Sequence, residues 1–341
     1  MKRSVPVLLV ALVWLAFPTA SPAPLIYRPG EGWTYEPYGS KSGAWQRKNA
    51  RLQLEVAQGA FEKKDYGLAA KCANHLLAKW PESDFAPQAY YLLGRCLEAK
   101  GKDEQAFQSY QNLIEKYPKV DNYQEVLKRQ FEIANRYLAG QKFKIAGLVP
   151  YWADMDKTAA LYEKVIKNGP YSEVAPQAQL NIGAAREKQT RFLNNDEPFI
   201  QAVKAYEKAA DRYNDNKSVA ADALFKAGQA YAKQARTAEY DQSAAAKALA
   251  AFTDFTTLYP GDARVPEAQK AMATIKTEQA RGALTIARYY DKQGRRAGAL
   301  VYYNEVLIKD PNSPYAIEAR ARIETLKAEA ALQALDAPPP K

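Results

Sequence analysis

The chain has 341 residues, with 48 Lys and Arg against 38 Asp and Glu, so its formal net charge is +10. This length can bury a sizeable core, and an aromatic content of 11% with nearly balanced charge argues against intrinsic disorder. The sequence holds a single His, His75, and two Cys, Cys72 and Cys96. Because a His-based catalytic triad or a His/Cys zinc cluster needs more such residues, we expect a binding protein or scaffold, not an enzyme, with no metal and no cofactor.

The first 23 residues have the layout of a secretory signal peptide. Lys2 and Arg3 form a positive start, Val5 to Phe17 form an apolar stretch, and small residues follow as far as Ala23. The apolar stretch is short for a membrane span of about 20 residues, and an uncleaved anchor is the alternative. We therefore expect an exported protein, which excludes nucleic acid as its partner.

Residues 24–43 form a segment rich in Pro and Gly that also carries Tyr27, Trp33, Tyr35 and Tyr38. Pro removes a backbone donor and Gly adds backbone freedom, so a regular helix is excluded. We interpret the segment as an extended arm that lies on its own domain or on a partner. A disordered spacer is the alternative.

We predict residues 44–335 to be almost wholly helical, and a repeated spacing of residue types organises them. A small residue, a second position four residues later and a Pro eight residues further on recur five times. Residues four apart share one helix face, so the small residue admits a neighbouring helix while a large second residue fills the space beside it. The Pro residues are Pro81, Pro118, Pro170, Pro260 and Pro311, and the second positions are Ala73, Tyr110, Tyr162, Phe252 and Tyr303, with Ala202 and Tyr206 forming a sixth set that lacks the Pro.

The helix before each such set carries a small residue where two helices would cross, namely Ala57, Gly94, Ala134, Gly183, Gly228 and Ala287. This pattern resembles the tetratricopeptide repeat, in which two antiparallel helices carry small, aromatic and Pro positions at these offsets. We predict an all-α fold, a tetratricopeptide-repeat solenoid of about six helix pairs with a C-terminal capping helix over Ala316 to Leu335 and a Pro-rich tail at 336–341.

Three units contain insertions between their helices, around Ala139 to Asp156, Thr190 to Pro198 and Thr237 to Ser243. The first insertion combines Gly and Pro with Phe143, Leu148, Tyr151 and Trp152. We predict an ordered, aromatic-bearing loop that is a candidate contact site, with a simple helix extension as the alternative.

The first helix of each unit is expected to line a groove that binds a segment of a partner protein. The position after each crossing residue should face this groove, and Tyr91 and Phe225, three residues before their crossing Gly, should share that face. Ordinary solvated surface is the alternative interpretation. The predicted groove residues are Gln58, Tyr91, Arg95, Ala184, Phe225, Gln229 and Arg288.

Cys72 and Cys96 fall on helices that a tetratricopeptide solenoid packs together. A disulfide between them would contribute about 3 kcal/mol in the chain-entropy model, and two buried small thiols are the alternative. We expect His75 to be a helix-packing or surface residue, since no further metal ligands are evident. Phosphate-loop, Gly-x-Ser-x-Gly, His-Glu-x-x-His and calcium-loop patterns do not occur.

The stretch from Tyr259 to about Leu326 carries Tyr259-Pro260-Gly261-Asp262, then Ile286-Ala287-Arg288-Tyr289-Tyr290-Asp291-Lys292-Gln293-Gly294, then Asp310-Pro311-Asn312-Ser313. With the leader, the arm and the repeats, these motifs resemble BamD, the tetratricopeptide component of the outer-membrane β-barrel assembly machine. The resemblance implies a periplasmic scaffold, peripheral to the outer membrane, that holds the barrel-forming subunit and contacts unfolded outer-membrane proteins.

Two features depart from the BamD pattern. The family is anchored through a Cys in the leader, which this sequence lacks, and the repeats number about six instead of five. A general periplasmic adaptor that coordinates cell-wall or envelope machinery is therefore the alternative function. An envelope enzyme that acts on glycan through a carboxylate pair is a further rival, and no spacing singles out such a pair.

Overall fold

The computed structural model describes residues 25–28, 32–35, 45–145, 149–150, 154–189, 197–237 and 242–335. The predicted leader, the Pro-rich tail and most of the predicted arm lie outside these residues. The chain divides into two compact units, Met1–Lys100 and Gly101–Lys341. Within the described ranges, no helix combines the length and the apolar character needed to cross a bilayer.

Unit 1 contains a β-hairpin and three helices in its described part. The hairpin pairs Leu25 with Tyr35 and Arg28 with Gly32 in an antiparallel register, so the described part of the arm is extended. Helices α1 and α2 pack together, and α3 packs on both. The elements are β1 Leu25–Arg28, β2 Gly32–Tyr35, α1 Ala50–Glu62, α2 Tyr66–Lys79 and α3 Ala86–Ala99.

Unit 2 is a succession of helices in which each helix packs on the next one along the chain. Alternate helices also touch, because α5 contacts α7, α7 contacts α9, and α11 contacts α13. We call α1, α3, α5, α7, α9 and α11 the first helices, and α2, α4, α6, α8, α10 and α12 the second helices. The elements are α4 Asp103–Lys116, α5 Tyr123–Leu138, β3 Lys144–Ile145, β4 Val149–Pro150, α6 Met155–Asn168, α7 Ala175–Gln189, α8 Glu197–Arg212, α9 Lys217–Thr237, α10 Gln242–Leu258, α11 Val265–Lys292, α12 Arg296–Lys309 and α13 Pro314–Leu335.

Side-chain caps and Pro residues explain where several helices begin. The side chains of Asn49, Asp65 and Asp154 accept hydrogen bonds from backbone N–H groups three residues later, at 2.9, 2.9 and 3.0 Å. Pro87 and Pro266 occupy the first turns of α3 and α11. Backbone N–H groups of the first turn donate no intrahelical hydrogen bond, so the N–H that Pro lacks is not needed there.

Ser83, in the turn between Pro81 and α3, does not cap α3. The N-cap of α3 is Phe85, and the Ser83 hydroxyl instead accepts a hydrogen bond from the Phe85 N–H at 3.2 Å within the turn. The Ser83 hydroxyl therefore stabilises the turn and not the helix end.

The predicted pairing of small and large residues is confirmed in unit 2. A Cβ added at Gly228 would lie 2.7 Å from Cδ1 of Phe252, and a Cβ added at Gly183 would meet the ring of Tyr206. Both rings are almost completely buried. The first helix therefore approaches the second so closely that only glycine fits, as the spacing predicted.

The insertion after α5 is a loop and not a helix extension. Helix α5 ends at Leu138, Gly140 adopts a φ of 112°, and β3 pairs with β4 in antiparallel orientation. Phe143 is buried and stacks on Tyr137, with the ring centroids 4.0 Å apart. Of the other aromatic residues predicted to form a contact site here, Tyr151 and Trp152 lie outside the described residues. The insertions at 190–196 and 238–241 lie outside them as well.

Candidate partner-binding face

The predicted groove positions fall on first helices, and they differ in exposure. Gln58 on α1 and Arg288 on α11 are exposed, whereas the remaining accessible positions are half-buried. A half-buried side chain still has surface that a partner can contact. Because part of the side chain is already packed, it loses little further rotamer entropy when the partner binds. The half-buried positions are Tyr91, Arg95, Ala184 and Gln229.

Phe225 was predicted wrongly as a groove residue. Its side chain is buried in a cluster with Phe252 and Phe255, at ring-centroid distances of 5.9 and 5.3 Å. The guanidinium of Arg264 covers the Phe225 ring, with Cζ 4.9 Å from its centroid, and Asp262 and Asp222 hold Arg264 in place through ion pairs of 2.8 and 2.7 Å. This aromatic core leaves Phe225 unavailable to a partner.

Arg95 follows Tyr91 by one turn on α3 and meets Phe61 from α1. The Arg95 guanidinium lies over both rings, with Cζ 5.5 Å from the Phe61 centroid and 5.8 Å from the Tyr91 centroid. Its Nη1 also donates a hydrogen bond to the Tyr91 hydroxyl at 3.2 Å. Gln58 precedes Phe61 by three residues and so lies on the same side of α1. We call these four residues, Gln58, Phe61, Tyr91 and Arg95, the α1–α3 face.

Phe61 is not among the predicted groove residues, although its position carries a signal. It follows the crossing residue Ala57 by four positions, and residues four apart lie on one helix face. The position one turn after a crossing residue is therefore a groove candidate, as is the position directly after it.

In unit 2, groove positions join first helices to one another and to the last helix, α13, by polar contacts. Gln229 on α9 donates to Glu267 on α11 at 3.2 Å, and Arg288 on α11 donates through Nε to Glu318 on α13 at 2.7 Å. The bond from Arg288 lowers the pKa of the Glu318 carboxyl below its ordinary value. Between α5 and α7 the same kind of contact is made by Asn181, whose amide donates to Asn135 at 2.9 Å.

Cys72 and Cys96 are free cysteines, both buried, and so correspond to the alternative of two buried thiols and not to a disulfide. Burial raises the pKa of the Cys96 thiol to about 11 and also raises that of Cys72. Both thiols are therefore protonated near neutral pH, which makes them poor nucleophiles and poor metal ligands.

His75 packs between two Trp rings, with edge-on centroid distances of 5.4 Å to Trp45 and 5.8 Å to Trp80. It is a helix-packing residue, as predicted. No cluster of three or more His, Cys, Asp or Glu side chains suited to a metal ion occurs in the part of the chain that the structure describes.

Residues 88–119 match the family model of the tetratricopeptide repeat. The fold is a tetratricopeptide-repeat solenoid. The match spans the end of unit 1 and the start of unit 2, and it includes the crossing residue Gly94 with the small and large residues Ala106 and Tyr110.

Solved structures of repeat proteins are also similar to the chain. The C-terminal part of a tetratricopeptide-repeat protein from Cytophaga hutchinsonii is 17% identical, covers 80% of this chain and 88% of its own, and has a TM-score of 0.37. A tetratricopeptide-repeat protein from Parabacteroides merdae is 12% identical, with coverages of 82% and 98% and a TM-score of 0.33. PilF from Pseudomonas aeruginosa is 13% identical, with coverages of 80% and 97% and a TM-score of 0.30. No curated protein matches the chain.

Proposed function

We propose that this protein is a non-enzymatic periplasmic scaffold, peripheral to the outer membrane, that binds a segment of a partner protein on the α1–α3 face. The observation that carries the proposal is the Arg95 guanidinium held over the rings of Phe61 and Tyr91. Tyr and Arg dominate the energetics of protein interfaces, and Phe is also enriched there. Repeat proteins of this class generally bind protein partners on surfaces made by successive helices.

The α1–α3 face is organised before a partner arrives. The hydrogen bond from Arg95 to Tyr91 fixes the guanidinium, and the packing of α3 on α1 fixes Phe61 beside it. A preformed surface loses little side-chain entropy on binding, so more of each contact appears as affinity. The aromatic rings can accept an apolar side chain of the partner, while the guanidinium retains donors for a carbonyl or carboxylate.

The finer assignment, to outer-membrane barrel assembly, is supported by the sequence. The first 23 residues have the layout of an export signal, and the motifs between Tyr259 and Leu326 resemble those of BamD. On this proposal the partners are the barrel-forming subunit and unfolded outer-membrane proteins.

Affinity purification of the tagged full chain from solubilised envelope tests the proposal. We expect the barrel-forming subunit to be recovered with the wild-type chain, and the Arg95→Ala, Tyr91→Ala double variant to recover at least about tenfold less, since truncating an interface hot spot costs about 2 kcal/mol or more. Lys79→Ala, an exposed cation on the second helix α2, is the control and should recover the wild-type amount.

Three results would contradict this proposal. Recovery of another envelope complex without the barrel-forming subunit would contradict the assignment to barrel assembly and favour a general periplasmic adaptor. Equal recovery by the double variant would contradict the role of the α1–α3 face. Fractionation of the chain with cytoplasmic proteins would contradict the periplasmic location.

A further inference from the structure

A groove with a volume of about 600 Å³ lies in unit 2 between the second helices α6 and α8, over the first helix α7. Its floor is apolar and buried, and is formed by Ile166, Ile182 and Ala205. Its size falls within the usual range of about 300 to 1,000 Å³ for binding pockets. The groove is separate from the α1–α3 face, which belongs to unit 1.

The rim of the groove carries five cationic side chains and one carboxylate, that of Glu163. Arg186 is neutralised by an ion pair with Asp156. No ion pair with any described residue is made by Lys167, Lys204 or Lys208, even though Glu163 lies one turn before Lys167 on α6. The groove therefore has an uncompensated positive potential, which attracts anionic groups. The five cations are Lys167, Arg186, Lys204, Lys208 and Arg212.

Three of these cations form a regular row. Lys204, Lys208 and Arg212 are spaced four residues apart on α8, so they lie on one side of the helix and their Cα atoms are separated by about 6 Å along its axis. In an extended peptide, every second side chain lies on the same face, and such side chains are about 6.6 Å apart. A peptide strand with Asp or Glu at every second position therefore matches the spacing of the row.

Tyr171 is next in the chain to a lining residue of the groove and is 93% exposed. It directly follows Pro170, which lines the groove and whose carbonyl accepts a hydrogen bond from the Tyr213 hydroxyl at 3.2 Å. On the other side of Tyr171, the buried Ser172 hydroxyl donates a hydrogen bond to the Gly169 carbonyl. The two bonds fix the backbone of the turn, so the Tyr171 side chain is held in solvent. An exposed Tyr is a residue type enriched at protein interfaces.

We infer that the α6–α8 groove binds an acidic segment of a partner protein in extended conformation. Carboxylates at every second position would pair with the row on α8, and the intervening apolar floor would accept a small apolar side chain. A flat lipid surface fits less well, because its headgroups would have to enter a groove whose floor is apolar.

The binding test is fluorescence anisotropy of a labelled dodecapeptide of alternating Glu and Ser, with the full chain as titrant. We expect saturable binding that weakens as ionic strength rises, and no binding of a copy with Gln in place of Glu. The double charge reversal Lys204→Glu, Lys208→Glu should weaken binding at least about tenfold, a change of about 1.4 kcal/mol. Lys167→Glu, on the opposite wall, should weaken it independently.

The matched control is Lys270→Glu, Lys276→Glu on α11, which makes the same change in net charge at two exposed lysines outside the groove. Its affinity should equal that of the wild type. Because all the altered lysines are exposed, circular dichroism should show the same helix content for each variant.

Several results would overturn this inference. They are failure of the wild-type chain to bind the Glu peptide, equal weakening by the control on α11, or unchanged binding by the groove variants. Groove-dependent binding to phosphatidylglycerol vesicles without peptide binding would assign the groove to a lipid surface instead. None of these results bears on the α1–α3 face, whose test uses different variants.

Discussion

Replacing Gly228 by Ala tests whether close helix approach explains the small residues at the crossing points. The added Cβ would lie 2.7 Å from both Cδ1 and Cε1 of Phe252. Carbon atoms in contact are normally about 3.5 to 4.0 Å apart, so the ring must retreat by about 1 Å. Phe252 is only 1% exposed and lies against Phe225, so its ring cannot retreat without displacing buried neighbours.

The magnitude follows from two opposing effects. Overpacking a filled core costs about 1 to 3 kcal/mol, whereas Ala is favoured over Gly within a helix by about 1 kcal/mol. We therefore expect Gly228→Ala to lower the free energy of unfolding by up to about 2 kcal/mol. Gly59→Ala on α1 is the control, because no atom lies within 4 Å of its added Cβ, and it should be stabilising.

Urea denaturation followed by circular dichroism measures both variants, and hydrogen exchange of α9 and α10 amides localises the effect. The two variants should differ by about 1 to 3 kcal/mol, which is the cost of the clash alone. In a Phe252→Leu background, Gly228→Ala should no longer be destabilising, which gives a coupling energy of the same size. Equal behaviour of Gly228→Ala and Gly59→Ala, with no coupling to Phe252, would refute the explanation.

Two further predictions concern ion pairs in unit 2. Asp103 is 4% exposed and accepts two hydrogen bonds of 2.8 Å from Arg136 and one of 2.7 Å from Gln141. Asp103→Ala should therefore lower the free energy of unfolding, measured by urea denaturation, by about 1.5 to 3 kcal/mol. An unchanged denaturation midpoint would contradict this prediction. The hydrogen bonds from Arg264 lower the pKa of Asp262 from 3.8 to about 2. The ion pair therefore stabilises the folded state fully at pH values above the pKa of Asp262 in the unfolded chain, and this stabilisation is lost as the pH falls from about 4 towards 2. Thermal unfolding across that range should be less pH-dependent in Asp262→Asn, and an identical pH profile would show that the pair contributes nothing.

The sequence predicted the helix pairs and their crossing points because both depend on local spacing. Gly183 and Gly228 were identified from their positions alone, and each does face the large residue of the following helix, Tyr206 and Phe252. This works because the helical period places such residues on one face, whatever the distant parts of the chain do.

The sequence did not predict which residues of that face are accessible. Phe225 and Tyr91 stand at the same offset from their crossing Gly, yet one is buried and the other is half-buried. The difference arises from the neighbouring helix and the following turn, since Phe255 and Arg264 cover Phe225. Contacts between residues 30 or more apart leave no trace in the periodicity of one sequence.

The hairpin within the arm was also not predicted, although its signals are present. Leu-Ile-Tyr-Arg and Gly-Trp-Thr-Tyr are short runs with aromatic residues, and Pro29 and Gly30 stand between them as turn formers. The Pro and Gly content of the segment excludes a helix but does not distinguish an isolated extended chain from a paired one.

The polar contacts that first helices make with one another and with α13 change what the predicted groove can offer to a ligand. Gln229 and Arg288 already bond to Glu267 and Glu318, so a partner gains from them only by replacing bonds that the chain makes itself. Such an exchange has a small net free energy, because one satisfied bond is lost for each one formed. The lysines of the α6–α8 groove make no ion pair with described residues, so an anionic ligand that pairs with them displaces only water. Specific binding in unit 2 should therefore concentrate at the second helices, whereas the repeat periodicity alone predicts binding at the first helices.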